Sequence, residues 1–463
     1  MRTLVEISNA VRRGEIKATA VVETSLATIK ERNGPLNAFI MLDAEGAMRS
    51  AEAIDAKVAK GVDPGPLAGV PFGVKDLEDC IGFPSTQGSI FLKNTPAKTK
   101  DNPHIERLRA AGAIPVGKTA MSEFGMDSAT FTKAWGVTRN PWNLETTPGG
   151  SSGGSASAVA SGMVPFATAT DAGGSTREPA AFTNLVGLKP SHGRIAKVNG
   201  FANWAAHGAL TRTVADTARY LDSAAGPDDR DRQSLPQLDY KYENIIETLN
   251  VAGLKAVFTP DCGYAVVEPE LIELARRAAS RLIEVAKLTE VNKPFHPTNI
   301  LYDWAAINLI NLETDFQRDG ILPDGYEQLA DTTKFVLNRI RSRRDTIDLK
   351  QSWKNIEKLN NEVAEFFRDN DLIMSPATGC APYTADSTPP QIIDGRDASE
   401  TGVEPFGMLA NACWNPSISI PAGLTKAGLP VGLQITARRH RDDILLRLAR
   451  LYEQAYPWTY PWN

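Results

Sequence analysis

Two short stretches combine glycine with serine and carry residue types suited to nucleophilic chemistry. Residues 148–155 read PGGSSGGS, and residues 171–177 read DAGGSTR. Serine hydroxyls act as nucleophiles, proton relays or helix caps, while glycine lets the backbone approach another group closely. One predicted helix and one predicted strand separate the two stretches, so both loops can lie at a common edge of the fold. We therefore ask which chemistry they share.

A flexible linker is the simplest interpretation of the composition GGSSGGS. The first loop, however, leads directly into an alanine-rich segment, residues 155–164, that predicts a helix. The segment that follows, residues 165–170, predicts a strand that ends at the second loop. This arrangement disfavours the linker.

An α/β-hydrolase nucleophile elbow is the second interpretation, because residues 149–153 fit the pattern G-x-S-x-G around Ser151. That chemistry needs a histidine base late in the chain. Only His296 and His440 follow at a suitable distance, and His440 lies in the charged run RRHRD, which predicts a solvated helix start. An esterase that uses Ser151 and His440 therefore stays an alternative.

A lysine base is the third interpretation, and Lys75 is the candidate. It lies near the end of the apolar run LAGVPFGVKD at residues 67–76, which predicts a buried strand. An ordinary lysine has a pKa of ~10.4, so the amine must be desolvated by burial, with a pKa about 3 units lower, to act as a base at neutral pH. The chain contains no S-x-x-K motif, so the fold must assemble any lysine–serine pair.

A nucleotide-binding loop is the other motif to weigh, because residues 112–119, GAIPVGKT, fit the phosphate-loop pattern and include Lys118. A phosphate loop follows a strand and opens a helix. Here a predicted helix precedes the motif, and its AIPV segment is itself strand-like. Nucleotide binding through Lys118 is thus a disfavoured alternative.

Composition bounds the class of protein. The 463 residues carry a net charge of −5, with 42% hydrophobic and 23% charged residues, which is ordinary for a globular chain. No basic stripe suggests nucleic acid, and no secretory signal or membrane-length apolar run is found, so we expect a cytoplasmic enzyme without a membrane span. Four cysteines without C-x-x-C and five histidines without H-E-x-x-H predict neither disulfides nor a metal site.

Alternation of predicted helices and strands indicates an α/β fold. Residues 227–240, rich in Asp, Pro and Arg, are the best candidate for an internal boundary, whereas residues 295–326 show no clear pattern. The clearest predicted helices cover residues 213–223, 270–287, 347–369 and 442–454, and the clearest later strands cover 372–374, 417–420 and 431–436.

Four stretches together resemble the amidase signature hydrolases. They are GVKD at 73–76, the loop 148–155, the segment 170–177 with PA at 179–180 and GLKP at 187–190, and LPVGLQ at 429–434. Ser175 follows Ser151 by 24 residues, which also agrees with the family. The resemblance implies a single domain over residues 1–463, built on one mixed β-sheet of about 11 strands with α-helices on both faces. The signature core would cover about 65–225, and a variable substrate-pocket region about 290–350.

The resemblance also implies roles for individual residues. Lys75 would be the neutral base, Ser151 a relay in a cis peptide, and Ser175 the nucleophile. Backbone N–H groups would form the oxyanion hole, contributed by Ala172, Gly173, Gly174 and Ser175. Other side chains would brace the site, namely Ser152, Asp171 and Arg177. By position, Phe124, Gly125 and Met126 either line the substrate pocket or serve packing. Glu178 stands where an apolar residue is common.

Together, the residues and the resemblance predict a cofactor-free serine hydrolase that cleaves small-molecule amides, with esters or carbamates as further substrates. Apolar and aromatic residues between 290 and 326 favour an aryl substrate. The runner-up is an ammonia-transferring protein similar to the A subunits of amidotransferases, which releases ammonia from glutamine and needs partner chains. The oligomeric state stays open, with a homodimer as the candidate assembly.

Overall fold

The computed structural model describes residues 2–198, 204–342 and 348–461. The strands in this part of the chain are β1 (Phe39–Leu42), β2 (Pro71–Lys75), β3 (Ile114–Thr119), β4 (Phe131–Thr132), β5 (Gly136–Val137), β6 (Phe166–Asp171), β7 (Val186–Lys189), β8 (Ala206–Thr211), β9 (Lys255–Phe258), β10 (Thr289–Glu290), β11 (Leu372–Pro376), β12 (Ile392–Ile393), β13 (Arg396–Asp397), β14 (Ser417–Leu424) and β15 (Pro430–Ala437).

The helices are α1 (Leu4–Arg12), α2 (Ala18–Leu36), α3 (Ala44–Ala59), α4 (Pro103–Ala110), α5 (Gly153–Ala160), α6 (Arg177–Thr183), α7 (Val214–Ala224), α8 (Tyr242–Thr248), α9 (Pro269–Ala286), α10 (Leu301–Arg318), α11 (Asp331–Arg341), α12 (Leu349–Asp369), α13 (Gly407–Ala412) and α14 (Asp442–Ala455), with short 3₁₀ turns at Glu123–Gly125 and Tyr326–Gln328.

One mixed sheet of 11 strands organises the fold, in the order β1-β3-β2-β6-β8-β7-β14-β15-β11-β9-β10. Strands β3, β2 and β6 run parallel, as do β11, β9 and β10, and antiparallel pairs join these two groups through β8, β7, β14 and β15. Every residue of β2, β3, β6, β7, β8 and β15 is buried. Because neighbouring residues on a strand point to opposite faces, both faces of the sheet are covered. The predicted α/β fold with one large mixed sheet is confirmed.

Sequence signals set the ends of several elements. The Thr3 hydroxyl accepts from the Glu6 N–H while the Glu6 carboxylate accepts from the Thr3 N–H, and these two bonds form a capping box at the start of α1. Asp43 and Thr213 cap α3 and α7, each through a single side-chain hydrogen bond. The segment 227–240 is irregular, as predicted, but it joins α7 to α8, which pack against each other. One domain over the whole chain stays a prediction.

The variable region contains the largest element that the sequence did not predict. Helix α10 covers Leu301–Arg318, where the apolar and polar residues follow no regular stripe. Together with α11 it packs around an apolar cluster separate from the main core, formed by Phe124, Leu312, Phe316, Ile321, Leu322, Leu329 and Leu337. We call this group the α10–α11 cluster. Among the described residues, no helix has the length and apolar character needed to cross a membrane.

Candidate active site

Lys75 lies at the end of β2 with its side chain completely buried. Its Nζ is 2.7 Å from Ser151 Oγ, 2.8 Å from Ser152 Oγ and 2.8 Å from Thr170 Oγ1. A neutral amine has two N–H donors and one lone pair. Three hydroxyl partners therefore suit an amine that donates twice and accepts once.

The environment of Lys75 favours the neutral amine. Burial lowers its pKa to about 7, against the opposing effect of the carboxylates of Glu78, Asp171 and Glu404. An amine with a pKa near 7 is largely unprotonated above neutrality and still basic enough to take a proton. A lysine pKa lowered to near neutrality is what a lysine base requires.

The first Gly/Ser loop brings two hydroxyls to this amine immediately before α5. The Gly150–Ser151 peptide bond is cis. A side chain at Gly150 would collide with the backbone oxygen of Asp127, so this position must be glycine. The Gly150 N–H donates to Glu178 Oε2 at 2.8 Å, which fixes the loop from the neighbouring helix α6.

The second Gly/Ser loop is held by a buried ion pair. Arg177 donates to Asp171 through Nε at 2.9 Å and through Nη2 at 2.8 Å, and both side chains are buried. Arg177 also donates to Gln434 Oε1 at 3.1 Å and Asn411 Oδ1 at 2.7 Å. Although burial opposes ionisation, the Arg177 guanidinium keeps the pKa of Asp171 below its usual value. The pair is therefore an internal brace and not a surface contact.

Backbone N–H groups of the second loop divide into two sets. The Asp171 carboxylate accepts from the N–H of Gly174 at 2.9 Å and of Thr176 at 3.2 Å. Within the part of the chain that the structure describes, the N–H groups of Ala172, Gly173 and Ser175 have no such partner. Of the four predicted oxyanion donors, Gly174 is thus already used inside the protein.

A cavity of about 230 Å³ opens beside Ser175, larger than the ~150 Å³ that holds a benzene ring in a protein interior. Its walls come from the second loop, from α10 and α11, and from the segment 388–408. The lining includes Gly125, Met126, Ala172, Gly173, Ser175, Tyr302, Trp304, Phe335, Val336, Gln391, Val403, Glu404 and Met408. Trp304 Nε1 donates to the Ala172 carbonyl at 3.0 Å, which ties the cavity wall to the loop.

Three carboxyl groups lie around the cavity and the first loop. Burial raises the pKa of Asp127 to about 7 and of Glu404 to about 8. Burial, reinforced by the neighbouring Glu404, also raises the pKa of Glu178 well above its usual value. Ser128 Oγ donates to Glu404 Oε1 at 2.7 Å. Burial thus shifts all three carboxyl groups toward their protonated forms, in which a carboxyl group can donate a hydrogen bond as well as accept one.

The structure brings most of the predicted site residues together, with two corrections. Phe124 does not line the cavity, because its ring packs against the ring of Phe316 in the α10–α11 cluster, with 4.5 Å between the ring centroids. His440 is exposed after β15, and no described contact connects it to Ser151, whose hydroxyl meets Lys75 instead. The structure therefore does not bring Ser151 and His440 together as a nucleophile and its base.

The phosphate-loop alternative is also wrong. Ile114–Thr119 forms strand β3, and Lys118 is buried with its Nζ 3.3 Å from Ser85 Oγ and 4.0 Å from Asp76 Oδ1. Backbone N–H groups paired in a sheet cannot converge on a phosphate.

Several residues of the site escaped sequence reasoning. Thr170 begins the 170–177 segment, but no sequence signal pointed to its contact with Lys75. Asn411 and Glu404 come from segments without a motif. Glu178 had a signal, because it departs from the family pattern, and it contacts the first loop. Gln434 lies in the LPVGLQ stretch, which marked the region but not the contact with Arg177.

Comparison with known proteins assigns the chain to a family. The model of the Amidase family matches residues 20–446. The acylamidase of Rhodococcus erythropolis is 32% identical, over 98% of this chain and 95% of that protein. The A subunit of the glutamyl-tRNA(Gln) amidotransferase from Chromohalobacter salexigens is 33% identical, over 99% of this chain and 97% of its own.

Solved structures give the same assignment. A bacterial aryl acylamidase of the amidase signature family superposes with a TM-score of 0.90 at 28% identity, over 99% of this chain and 96% of that one. The 6-aminohexanoate cyclic dimer hydrolase, complexed with substrate, superposes with a TM-score of 0.87 at 28% identity, over 100% and 99% of the two chains. This chain therefore belongs to the amidase signature family and is an amidase.

Proposed function

We propose that this amidase works through an acyl-enzyme in which Ser175 is the nucleophile, Ser151 the proton relay and Lys75 the base. The observation that carries the proposal is the 2.7 Å contact between Lys75 Nζ and Ser151 Oγ at a lysine whose pKa is lowered to about 7. The neutral amine takes the Ser151 proton as Ser151 takes the proton of Ser175. Ser175 Oγ then attacks the substrate carbonyl carbon.

Collapse of the tetrahedral intermediate breaks the carbon–nitrogen bond. Ser151 returns a proton to the leaving nitrogen, because an amide anion is a very poor leaving group. Water then attacks the acyl-enzyme, with the same groups carrying its proton, and releases the carboxylic acid and Ser175. All atoms come from the amide and one water.

The second loop supports the oxyanion of both intermediates. The N–H groups of Ala172, Gly173 and Ser175 are without internal partners among the described residues and lie close together along the backbone, as a preorganised oxyanion hole requires. The Asp171 and Arg177 pair fixes the loop, so these donors need no rearrangement during the reaction. Ser152 donates or accepts at Lys75 and keeps the amine in place.

A small-molecule aryl or other apolar amide suits the cavity best. Trp304, Phe335 and Met408 supply apolar walls beside Ser175, and the volume admits an aromatic ring. The acylamidase and aryl acylamidase among the similar proteins point in the same direction. Esters and carbamates reach the same acyl-enzyme through the same attack, so we include them as substrates.

Replacement of either Lys75 or Ser175 by alanine should lower hydrolysis of a chromogenic anilide by on the order of 10⁴-fold or more, since each removes a group essential to attack. Steady-state kinetics on folded protein, verified by circular dichroism, measures the loss. His440→Ala is the matched control and should keep its rate. Full activity in either the lysine or the serine variant would contradict the assignment.

The pH dependence of kcat/KM should report Lys75. Because the base must be unprotonated and its pKa is about 7, the rate should rise with pH up to about 7 and then level off. At pH values below about 7, kcat/KM should rise about tenfold for each pH unit. A limb near the pKa of an ordinary lysine, or no limb between pH 5 and 9, would refute a buried lysine base.

Ser151→Ala should separate amides from esters. An amine must be protonated as it leaves, whereas an aryloxide leaves without a proton. The fall in activity caused by the substitution should therefore be about tenfold or more greater on an anilide than on the matched aryl ester. Parallel kinetics with the two substrates measures this ratio. Equal losses on both would assign Ser151 to attack alone.

Glutamine tests the runner-up function, which the similarity to amidotransferase A subunits at 33% identity keeps in view. We expect hydrolysis of anilides by the isolated chain with kcat/KM at least about 100-fold above that for free glutamine, because the apolar cavity favours an aryl group over a zwitterion. Ammonia release from glutamine at a comparable rate would favour the amidotransferase instead.

A further inference from the structure

Three side chains of the kinds that bind metal ions meet in the interior. Glu78 follows β2, His104 lies in the first turn of α4, and His207 lies on β8. The side chains of Glu78 and His104 are completely buried, and that of His207 is 9% exposed. We call these three residues the Glu78 site. Because they come from three separate elements, no local motif in the sequence predicted them as a group.

The polar atoms of the Glu78 site are close enough to share one ion. Glu78 Oε1 lies 2.7 Å from His104 Nδ1 and 2.8 Å from His207 Nδ1. One ligand atom from each of the three residues lies within 4.8 Å of the other two. Two ligands that are each 2.1 Å from an ion lie about 3.0 Å apart when they are at right angles, and about 4.2 Å apart on opposite sides. The side chains therefore need to separate by only a few tenths of an ångström to admit an ion.

Two polar atoms of the Glu78 site are buried without a hydrogen-bond partner among the described residues. One is His207 Nδ1, which makes no hydrogen bond to the nearby Glu78 Oε1 because that oxygen lies away from the direction of a ring N–H. The other is Glu78 Oε2. Buried polar atoms without partners are rare and costly. A short nitrogen–oxygen contact that is not a hydrogen bond is the arrangement of two ligands around one ion.

The Glu78 carboxylate also needs a positive charge, because an ionised group is costly to bury without one. Lys118 is the neighbouring cation, but it donates to the backbone carbonyl of Glu78 and not to the carboxylate. Its Nζ lies 4.0 Å from the carboxylate of Asp76 instead. Neutral imidazoles supply no charge. A divalent cation bound at the Glu78 site would supply the charge and give His207 Nδ1 a partner.

The hydroxyl group of Tyr220 supports the form of His104 that an ion requires. It lies 2.7 Å from His104 Nε2, and both side chains are buried. When the Nε2–H group donates to the Tyr220 oxygen, the lone pair of Nδ1 is free to bind metal. Histidines that bind metal almost always donate their other ring N–H to an oxygen in this way.

We propose that Glu78, His104 and His207 bind a divalent first-row transition-metal ion, which joins the end of β2 to α4 and β8. Two imidazoles and one carboxylate suit such ions, whereas Mg²⁺ and Ca²⁺ prefer oxygen ligands. None of the three residues lines the cavity beside Ser175, so we assign the ion a structural role. The inference does not depend on the proposed function.

Cobalt(II) is the probe, because it binds imidazole and carboxylate ligands and is well suited to X-ray absorption. After treatment with a chelator, the enzyme should bind one Co²⁺ per chain in equilibrium dialysis with elemental analysis, and Mg²⁺ at the same concentration should not displace it. Saturation should raise the melting temperature by a few degrees, because an ion that binds only the folded state stabilises it. Absence of stoichiometric binding, or of any stabilisation, would overturn the inference.

His207→Phe keeps a planar ring and removes the ligand nitrogen, so the affinity for Co²⁺ should fall by about 100-fold or more. His192→Phe is the matched control, because His192 is also buried but its ring contacts Gln233. This variant should bind Co²⁺ as the unsubstituted enzyme does. Equal losses of affinity in the two variants would contradict the site.

If His207→Phe does not fold, X-ray absorption by the cobalt-loaded unsubstituted enzyme decides. Scattering from two imidazole rings around the ion is expected, since His104 and His207 both supply nitrogen ligands. Scattering from one ring or from none would overturn the inference.

Discussion

Desolvation of one amine is the constraint on which this active site depends. Lys75 ends a central strand whose neighbours on both sides are buried, so water does not reach the side chain. The protein interior then has to supply hydroxyl partners in place of water, because an unpaired buried amine is costly. Ser151, Ser152 and Thr170 meet that need, and the two serines lie in the first Gly/Ser loop. The same requirement explains why this loop must approach the sheet so closely.

The two Gly/Ser loops are rigid for different reasons. The first is fixed by contact of its backbone with Asp127 and Glu178, where no side chain fits at Gly150. The second is fixed by charge, since the Asp171 carboxylate accepts hydrogen bonds from two N–H groups of the loop and from the Arg177 guanidinium. Arg177 extends that network to Gln434 and Asn411, which are far away in the sequence. Residues separated by more than 200 positions thus hold one loop.

Sequence reasoning predicted several strands, several helices and the two loops because each depends on local signals, whereas the single mixed sheet followed from the family resemblance. Alternating or continuous apolar residues mark β2, β6 and β15, and periodic apolar residues mark α7, α9 and α14. It missed α10, whose apolar residues serve both the cavity and the α10–α11 cluster and so follow no single stripe. Asn411 and Glu404 were beyond reach for another reason. Their meaning comes from partners brought together by sheet order, which no local pattern encodes.

The separate packing of the α10–α11 cluster gives one part of the cavity wall a small apolar core of its own. The amine, the serines and the Asp171–Arg177 pair depend on the main sheet and its core, and Trp304 and Met408 of the cavity wall also pack there. Met126, Ala305 and Val336 on another part of the wall pack on the α10–α11 cluster instead. Substitutions on that part of the wall can be absorbed within the small core, while the catalytic groups keep their positions. Substitutions at Trp304, by contrast, reach the catalytic loop directly, because its indole N–H donates to the Ala172 carbonyl.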